Sequence, residues 1–457
     1  MKHGKVKRQP TRLPKPLEQI NLEAAGIDVG ATSHFVAVPE ALDEQPVREF
    51  GCFTGDLNQL ADWLVRIGIT TVAMESTGVY WIALFELLEE RGLEVLLVDA
   101  RRVKNVPGRK TDVLDCQWLQ QLHTYGLLQG AFRPPEQVCA LRAYLRQREM
   151  LTRYASGHIQ HMQKALTQMN LQLHNVVSDI TGSTGLGIIR AILAGERDPE
   201  VLAKQRDSRC KHSEHTIAAS LEGHYRDEHL FALGQSLELF EFYQRQIAIC
   251  DEAIERHLNS FDAQVDPRAV PLPTRKKRRR ARNEPAFDMR SHRYRLTGVD
   301  LTEIDGIEGH SALKIVAEIG LDMERWPSDK HFTSWLGLSP GNKVAGGKRL
   351  SGRTKRSANR AAEVFRMAAH SLHNSKSALG AYLRRQKARL GAPKAITATA
   401  RKLACIVYHM LKDGQDYVDA GERYYEEQYQ DRVLRNLRRK ARSLGFDLAP
   451  SQAMEDA

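Results

Sequence analysis

Two aspartates, Asp112 and Asp115, stand three residues apart in the segment Arg109-Lys110-Thr111-Asp112-Val113-Leu114-Asp115. On a helix that spacing puts both carboxylates on one face, where they repel each other unless a cation sits between them. Hard divalent cations, Mg2+ or Mn2+, are the usual partners of such oxygen ligands. Alone, the pair would read as a solvated acidic face. Two acids upstream change that reading. Asp28 lies near the end of the apolar run AAGIDVG, and Glu75 directly follows the β-branched run TTVAM. Four acids from three separated segments, brought to one spot, make a metal site in which two ions flank a scissile phosphate.

The elements that must position these acids are legible in the first 130 residues. Runs at 24–30, 34–38 and 47–53 predict three strands in an antiparallel meander. A helix with Leu60, Leu64 and Ile67 on one face follows, then a fourth strand at 70–74. An amphipathic helix at 79–91 is closed by Gly92, a fifth strand spans 93–98, and a basic loop leads into the helix that carries Asp112 and Asp115. Three strands, helix, strand, helix, strand, helix is the order of an α/β ribonuclease-H-like domain with a mixed sheet. In that layout the ends of the first and fourth strands are neighbours. Lys110 and Thr111 precede the helical acids and are candidates for phosphate contact.

Composition sets the class of partner. The chain has 457 residues, 67 Lys and Arg against 56 Asp and Glu, and a formal net charge of +11. A polyanion, most commonly nucleic acid, is the natural partner of such a surplus. No apolar run of 18 or more residues is present, so no transmembrane helix is expected. The six cysteines, at 52, 116, 139, 210, 250 and 405, form no C-x-x-C pair and read as reduced thiols of a cytoplasmic protein. Cys210, His212 and His215 lack the second ligand pair that a zinc site requires.

Domain boundaries follow from the same pass: a basic arm at 1–20, the catalytic domain at 21–130, a helical coiled-coil region at 135–262, a basic linker at 263–296, a C-terminal domain at 297–420 and a charged helical tail at 421–457. In the helical region Ile159, Met162, Leu166, Met169 and Leu173 recur at near-helical spacing. Leu230, Leu233, Leu237, Phe240, Ile247, Ile254 and Leu258 keep a heptad register in which Gln244 and Asp251 fill two slots. The linker holds Arg275, Lys276, Lys277, Arg278, Arg279 and Arg280, a run that cannot form a core and suits phosphate. Further on, Ile304-Asp305-Gly306-Ile307-Glu308-Gly309 reads as a tight glycine turn of helix-hairpin-helix type. The loop Gly341 to Gly347 is followed by dense cations. There Gly346, Gly347, Lys348, Arg349, Arg353, Lys355 and Arg356 are candidate phosphate-binding positions.

Taken in order, GIDVG, MESTGVYW, RKTDVLDCQWL, EIDGIEGHSALKIVAEIG and WLGLSPGNKVAGGKRLSGRTKR resemble the insertion-sequence-110 family of transposases, and its insertion-sequence-1111 subgroup in particular, from about Ala24 to Tyr417. The resemblance implies a RuvC-like N-terminal domain whose Asp-Glu-Asp-Asp set maps onto Asp28, Glu75, Asp112 and Asp115, with divalent metal as cofactor. It also implies a small, mostly α C-terminal domain that supplies a serine nucleophile, a structured non-coding guide RNA, DNA partners at the element ends and the target, and assembly as a dimer or tetramer. Such a protein works in the bacterial cytoplasm, at the nucleoid. The chain departs from the pattern at the nucleophile: the family's serine position is occupied by Ala345. Ser339 and Ser351 flank the loop without aligning to it. A junction-resolving nuclease that uses activated water is the competing expectation.

Overall fold

A computed structural model describes residues 18–99, 112–272, 283–341, 343–346, 348–354 and 359–449. The chain divides into two compact units, Met1–Arg133 and Pro134–Ala457.

The first unit is built on β1 (Ala24–Val29), β2 (Ser33–Ala37), β3 (Val47–Gly51), β4 (Thr71–Glu75) and β5 (Glu94–Val98), in the sheet order β3-β2-β1-β4-β5. β1 pairs antiparallel with β2, and β2 with β3, whereas β4 lies parallel to β1 and to β5. This is the mixed arrangement expected of a ribonuclease-H-like α/β domain. α1 (Thr54–Arg66) and α2 (Trp81–Glu90) are the crossovers that make the parallel pairs possible. They cover one face of the sheet, where Ile27, Val36, Val72, Met74 and Leu97 pack against Leu60, Leu64, Leu84 and Leu88. The third strand is shorter than its apolar run suggests, because the chain bends after Gly51 and α1 already begins at Thr54.

α3 (Asp112–Thr124) lies on the other face, over Ala73 and Val98 through Leu119. It runs antiparallel to β1. The backbone amides of Ile20 and Asn21, just ahead of β1, donate to the carbonyl of Thr124 at 2.8 and 3.0 Å. Thr71, at the start of β4, bonds His123 at 2.8 Å. The N-terminus of α3 therefore lies toward the far ends of β1 and β4. A strand of six residues and a helix of thirteen both span about 20 Å, so the two elements match end to end. Gly26 sets their separation: a Cβ there would sit 2.4 Å from the carbonyl oxygen of Cys116 and 2.2 Å from the amide nitrogen of Gln120.

In the second unit two long helices, α4 (Glu136–Gln168) and α9 (Asp227–Asn259), pair antiparallel. His257 reaches the carbonyl of Gln137 at one end, and Tyr243 meets Tyr154 and His158 farther along. Between them the chain forms four short helices, α5 (Leu173–Val176), α6 (Ser183–Leu193), α7 (Pro199–Ala203) and α8 (Glu214–Ala219), which share a core with the paired helices. Most of the heptad positions of α9 are buried, Asp251 among them, while Gln244 is exposed. Asp251 receives Arg148 of α4 at 2.5 and 3.3 Å, and both side chains are almost fully enclosed. The pair also holds the segment returning to the core: Arg148 donates to the carbonyl of Asn283 at 3.0 Å, and Asp251 accepts from the amide of Ala286 at 3.2 Å.

That segment leads into α10 (Met289–Thr297) and α11 (Gly309–Ile319). Together with Val138, Leu141, Ile254 and Leu258 they form a second core. The glycine turn before α11 is as expected, and its Gly306 has φ +84°. A Cβ on Gly306 would also lie 2.6 Å from the carbonyl of Ala368. The glycine is thus explained by its close seat on α13 (Arg360–Ser371), and needs no phosphate. α12 (Asp329–Trp335), α14 (Ala378–Leu390) and α15 (Ala392–Asp413) complete the bundle, with Tyr408 donating to the carbonyl of Trp326 at 2.7 Å.

His310, on the first turn of α11, has its Nδ1 buried without a hydrogen-bond partner. Burial, reinforced by the charge of Arg148 and Lys314, pushes its pKa down to about 4 from 6.5. A histidine held neutral in the native state and free to charge in the unfolded chain stabilises the fold fully above about pH 6.5, and loses that contribution as pH falls toward 4. The loss is on the order of 3 kcal/mol. Denaturant titrations across that window are expected to show the slope for His310→Asn reduced relative to the parent; equal slopes would contradict the account.

Candidate active site

The strand register places the first two acids. Ile27 of β1 lies beside Met74 of β4, so Asp28 and Glu75 come next on adjacent parallel strands. Side chains alternate along a strand. Asp28 therefore shares the face of Gly26, and Glu75 the face of Ala73, which is the face that α3 covers. Glu75 is 4% exposed and its Oε1 accepts a hydrogen bond from the Thr77 hydroxyl at 3.0 Å. The loop after it is pinned by Ser76, whose amide and hydroxyl both donate to the carbonyl of Val98.

The helix supplies the other two. Asp112 and Asp115 occupy the first turn of α3, where carboxylates complement the helix dipole. Asp112 is exposed and Asp115 half-buried. Cys116 reports what lies between strand and helix. Its thiol is pushed up to about 12, chiefly by burial, with the negative charges of Asp28 and Asp115 adding to the rise. One thiol thus feels a carboxylate from β1 and a carboxylate from α3. The Cys116 thiol donates to the carbonyl of Val113 at 3.1 Å. Among the described residues, no three His, Cys, Asp or Glu side chains are gathered closely enough to hold a metal ion. The topology brings the four acids to one end of one sheet face, and the donor set, all carboxylate oxygen, fits Mg2+ or Mn2+. Thr77 and Gly26 escaped the sequence reading. The only trace of Gly26 was a glycine inside a strand, which marks a close backbone approach.

Ala345 sits in the second unit. The glycine-rich loop around it folds as a β-hairpin, β6 (Lys343–Ala345) and β7 (Lys348–Ser351), extended by a bridge between Pro340 and Thr354. Ala345 pairs with Lys348, and Gly346, which follows Ala345, has φ +55°. Gly346 is there because its position needs positive φ. Ala345, Lys348 and Arg353 are exposed. Ser339 is tied to Thr333 through its hydroxyl at 2.9 Å, and Ser351 accepts from the amide of Arg353. Lys110, Arg275 through Arg280, Gly347, Lys355 and Arg356 lie outside the described residues, as does the side chain of Arg349.

Two family models match the chain. One describes a transposase of the IS110 type with a DEDD domain and covers residues 25–171; the other, described as the transposase IS116/IS110/IS902 family, covers residues 300–384. Two separate stretches of the chain are thus similar to transposase domains of the IS110 family. Those domains support a transposase or recombinase activity with DNA as partner, and the DEDD domain implies dependence on divalent metal. The first match takes in Asp28, Glu75, Asp112 and Asp115, and the second takes in the hairpin with Ala345. No curated protein matches the chain. Among the described residues, no helix is long and apolar enough to cross a membrane.

Proposed function

We propose that the chain is a site-specific DNA recombinase whose N-terminal acids hold divalent metal and whose C-terminal hairpin presents the nucleophile position. The carrying observation is the strand register, which sets Asp28 and Glu75 side by side on the sheet face that α3, with Asp112 and Asp115 in its first turn, covers. Asp28, Glu75, Asp112 and Asp115 would hold the metal. When bound, divalent ions stabilise the charge that develops on the phosphate oxygens and on the leaving oxygen. Thr77 orients Glu75. At the hairpin, a serine at position 345 would attack a phosphodiester, forming a phosphoserine bond and releasing the other strand end as a free hydroxyl. Ala345 has no such oxygen, so the chain as it stands is expected to bind DNA without forming that bond. Guidance by a structured RNA, assembly as a dimer or tetramer, the coiled-coil role of α4 and α9, and phosphate binding by Lys348 and Arg353 belong to the same proposal. They rest on the resemblance of the motifs.

The test is Ala345→Ser. With Mg2+ or Mn2+, the co-purified nucleic acid and element-end DNA, it is expected to give a covalent protein–DNA adduct, detected by gel shift after denaturation. Adding Asp28→Asn is expected to reduce that adduct at least 100-fold without changing the thermal midpoint in the absence of metal. An adduct formed equally by the Ala345 chain would overturn the nucleophile assignment. The alanine itself favours a second reading, a RuvC-like junction nuclease that uses water; cleavage of branched DNA by the unaltered chain, with no adduct, would select it.

A further inference from the structure

The final helix, α16 (Gly421–Ser443), has no buried residue. Its first half is nevertheless seated on α14. Arg384 pairs with Glu422 at 2.5 Å, Arg385 pairs with Glu426, and the Arg385 guanidinium stacks 3.4 Å above the ring of Tyr429. The second half has a different character. From Arg432 to Arg442 it carries Arg435, Arg438, Arg439 and Lys440 as well, with no acid among them. Every one of these cations is exposed.

Helical spacing sorts the faces. Glu422, Tyr425, Glu426 and Tyr429 repeat every three or four residues and form the side that meets α14. Arg435, Arg438 and Arg442 repeat in the same way on the opposite side, with Arg439 bordering them, whereas Arg432 lies on the side of Tyr425 and Lys402. The cationic face therefore points away from the body of the unit. Its internal partners are weak: Arg435 donates to the Asp431 carbonyl at 3.3 Å, Arg439 donates to Asn436, and Arg442 meets Asp447 at 3.4 Å with both side chains largely in water. From Arg435 to Arg442 the helix advances about 10 Å, the rise of roughly three base pairs. Five of the six cations are arginine, the side chain whose planar fork matches phosphate oxygens.

We propose that the distal half of α16 is a duplex-DNA contact that grips the phosphate backbone through Arg435, Arg438, Arg439 and Arg442. It lies outside both stretches matched by the transposase families. The proposal rests on the DNA-recombinase reading and adds a contact to it. The exposed Leu434, Leu437 and Leu444 occupy a separate stripe, so DNA binding does not require them.

The test compares the full chain with the quadruple variant Arg435→Gln, Arg438→Gln, Arg439→Gln, Arg442→Gln, and with the four corresponding lysine substitutions as a charge-retaining control. Binding to a 30-base-pair duplex is measured as a function of salt. Each phosphate contact adds about 0.9 to the slope of log K against log salt. The glutamine variant is expected to lose about 2–4 from that slope and the lysine variant less than 1, both with unchanged thermal midpoints. An unchanged slope in the glutamine variant overturns the proposal. So does a slope change seen with a structured RNA hairpin and not with duplex, or loss of binding to phosphatidylserine vesicles with duplex binding intact. If the parent chain shows no salt-dependent duplex binding at all, the recombinase reading itself has failed.

Discussion

Arg148→Ala is expected to destabilise the C-terminal unit by about 3–5 kcal/mol, because it leaves Asp251 charged, buried and without its counter-ion. Asp251→Ala should cost a similar amount for the mirror-image reason, and it also releases the amide of Ala286. The double variant Arg148→Met, Asp251→Leu removes both charges, and is expected to recover most of the loss. Full recovery is not expected, since the carbonyl of Asn283 and the amide of Ala286 lose the hydrogen bonds that tie their segment to the paired helices. Denaturant unfolding followed by far-UV circular dichroism measures all three. Single variants within 1 kcal/mol of the parent would show that the pair is not enclosed as described.

Gly26→Ala is the second large effect. The added methyl meets the backbone of Cys116 and Gln120, including the Gln120 Cα at 2.8 Å, so no side-chain rotation relieves it. α3 must move off β1. Overpacking of this kind costs about 1–3 kcal/mol, and the displaced helix carries Asp112 and Asp115 away from Asp28 and Glu75. The expected outcome in the Ala345→Ser background is a drop in Mn2+ affinity of at least tenfold, by titration calorimetry, alongside the stability loss. Loss of stability with unaltered metal affinity would separate the four acids from the seating of α3, and would count against their common role.

The strands and their acids were legible because short apolar runs that end at glycine or at a single acid have few other uses. Asp28 and Glu75 could be placed at neighbouring strand ends from element order alone. The seat of α3 was not legible: Gly26 in AAGIDVG looks like any small residue until the helix that presses on it is in place. Asp251 stood out as a polar residue in a heptad slot, but its partner Arg148 lies 103 residues away, and no local spacing connects them. The hairpin at Ala345 was hidden for a third reason. Its strands are three and four residues long, too short for alternation to register, so the glycines dominated and suggested a loop. The short helices between Leu173 and Ala219 are likewise too brief to show a period, since their burial comes from the two long helices beside them.

Those long helices have a mechanical consequence. Each runs 33 residues, about 50 Å. Arg148 and Asp251 lock their mutual register, and the core shared with α10 and α11 fixes one end. The assembly acts as a ruler. Whatever the short helices at its far end hold is kept at a set distance from that core, and a slip of one residue in the pairing would change the distance by only about 1.5 Å while turning every contact at the tip by roughly 100°.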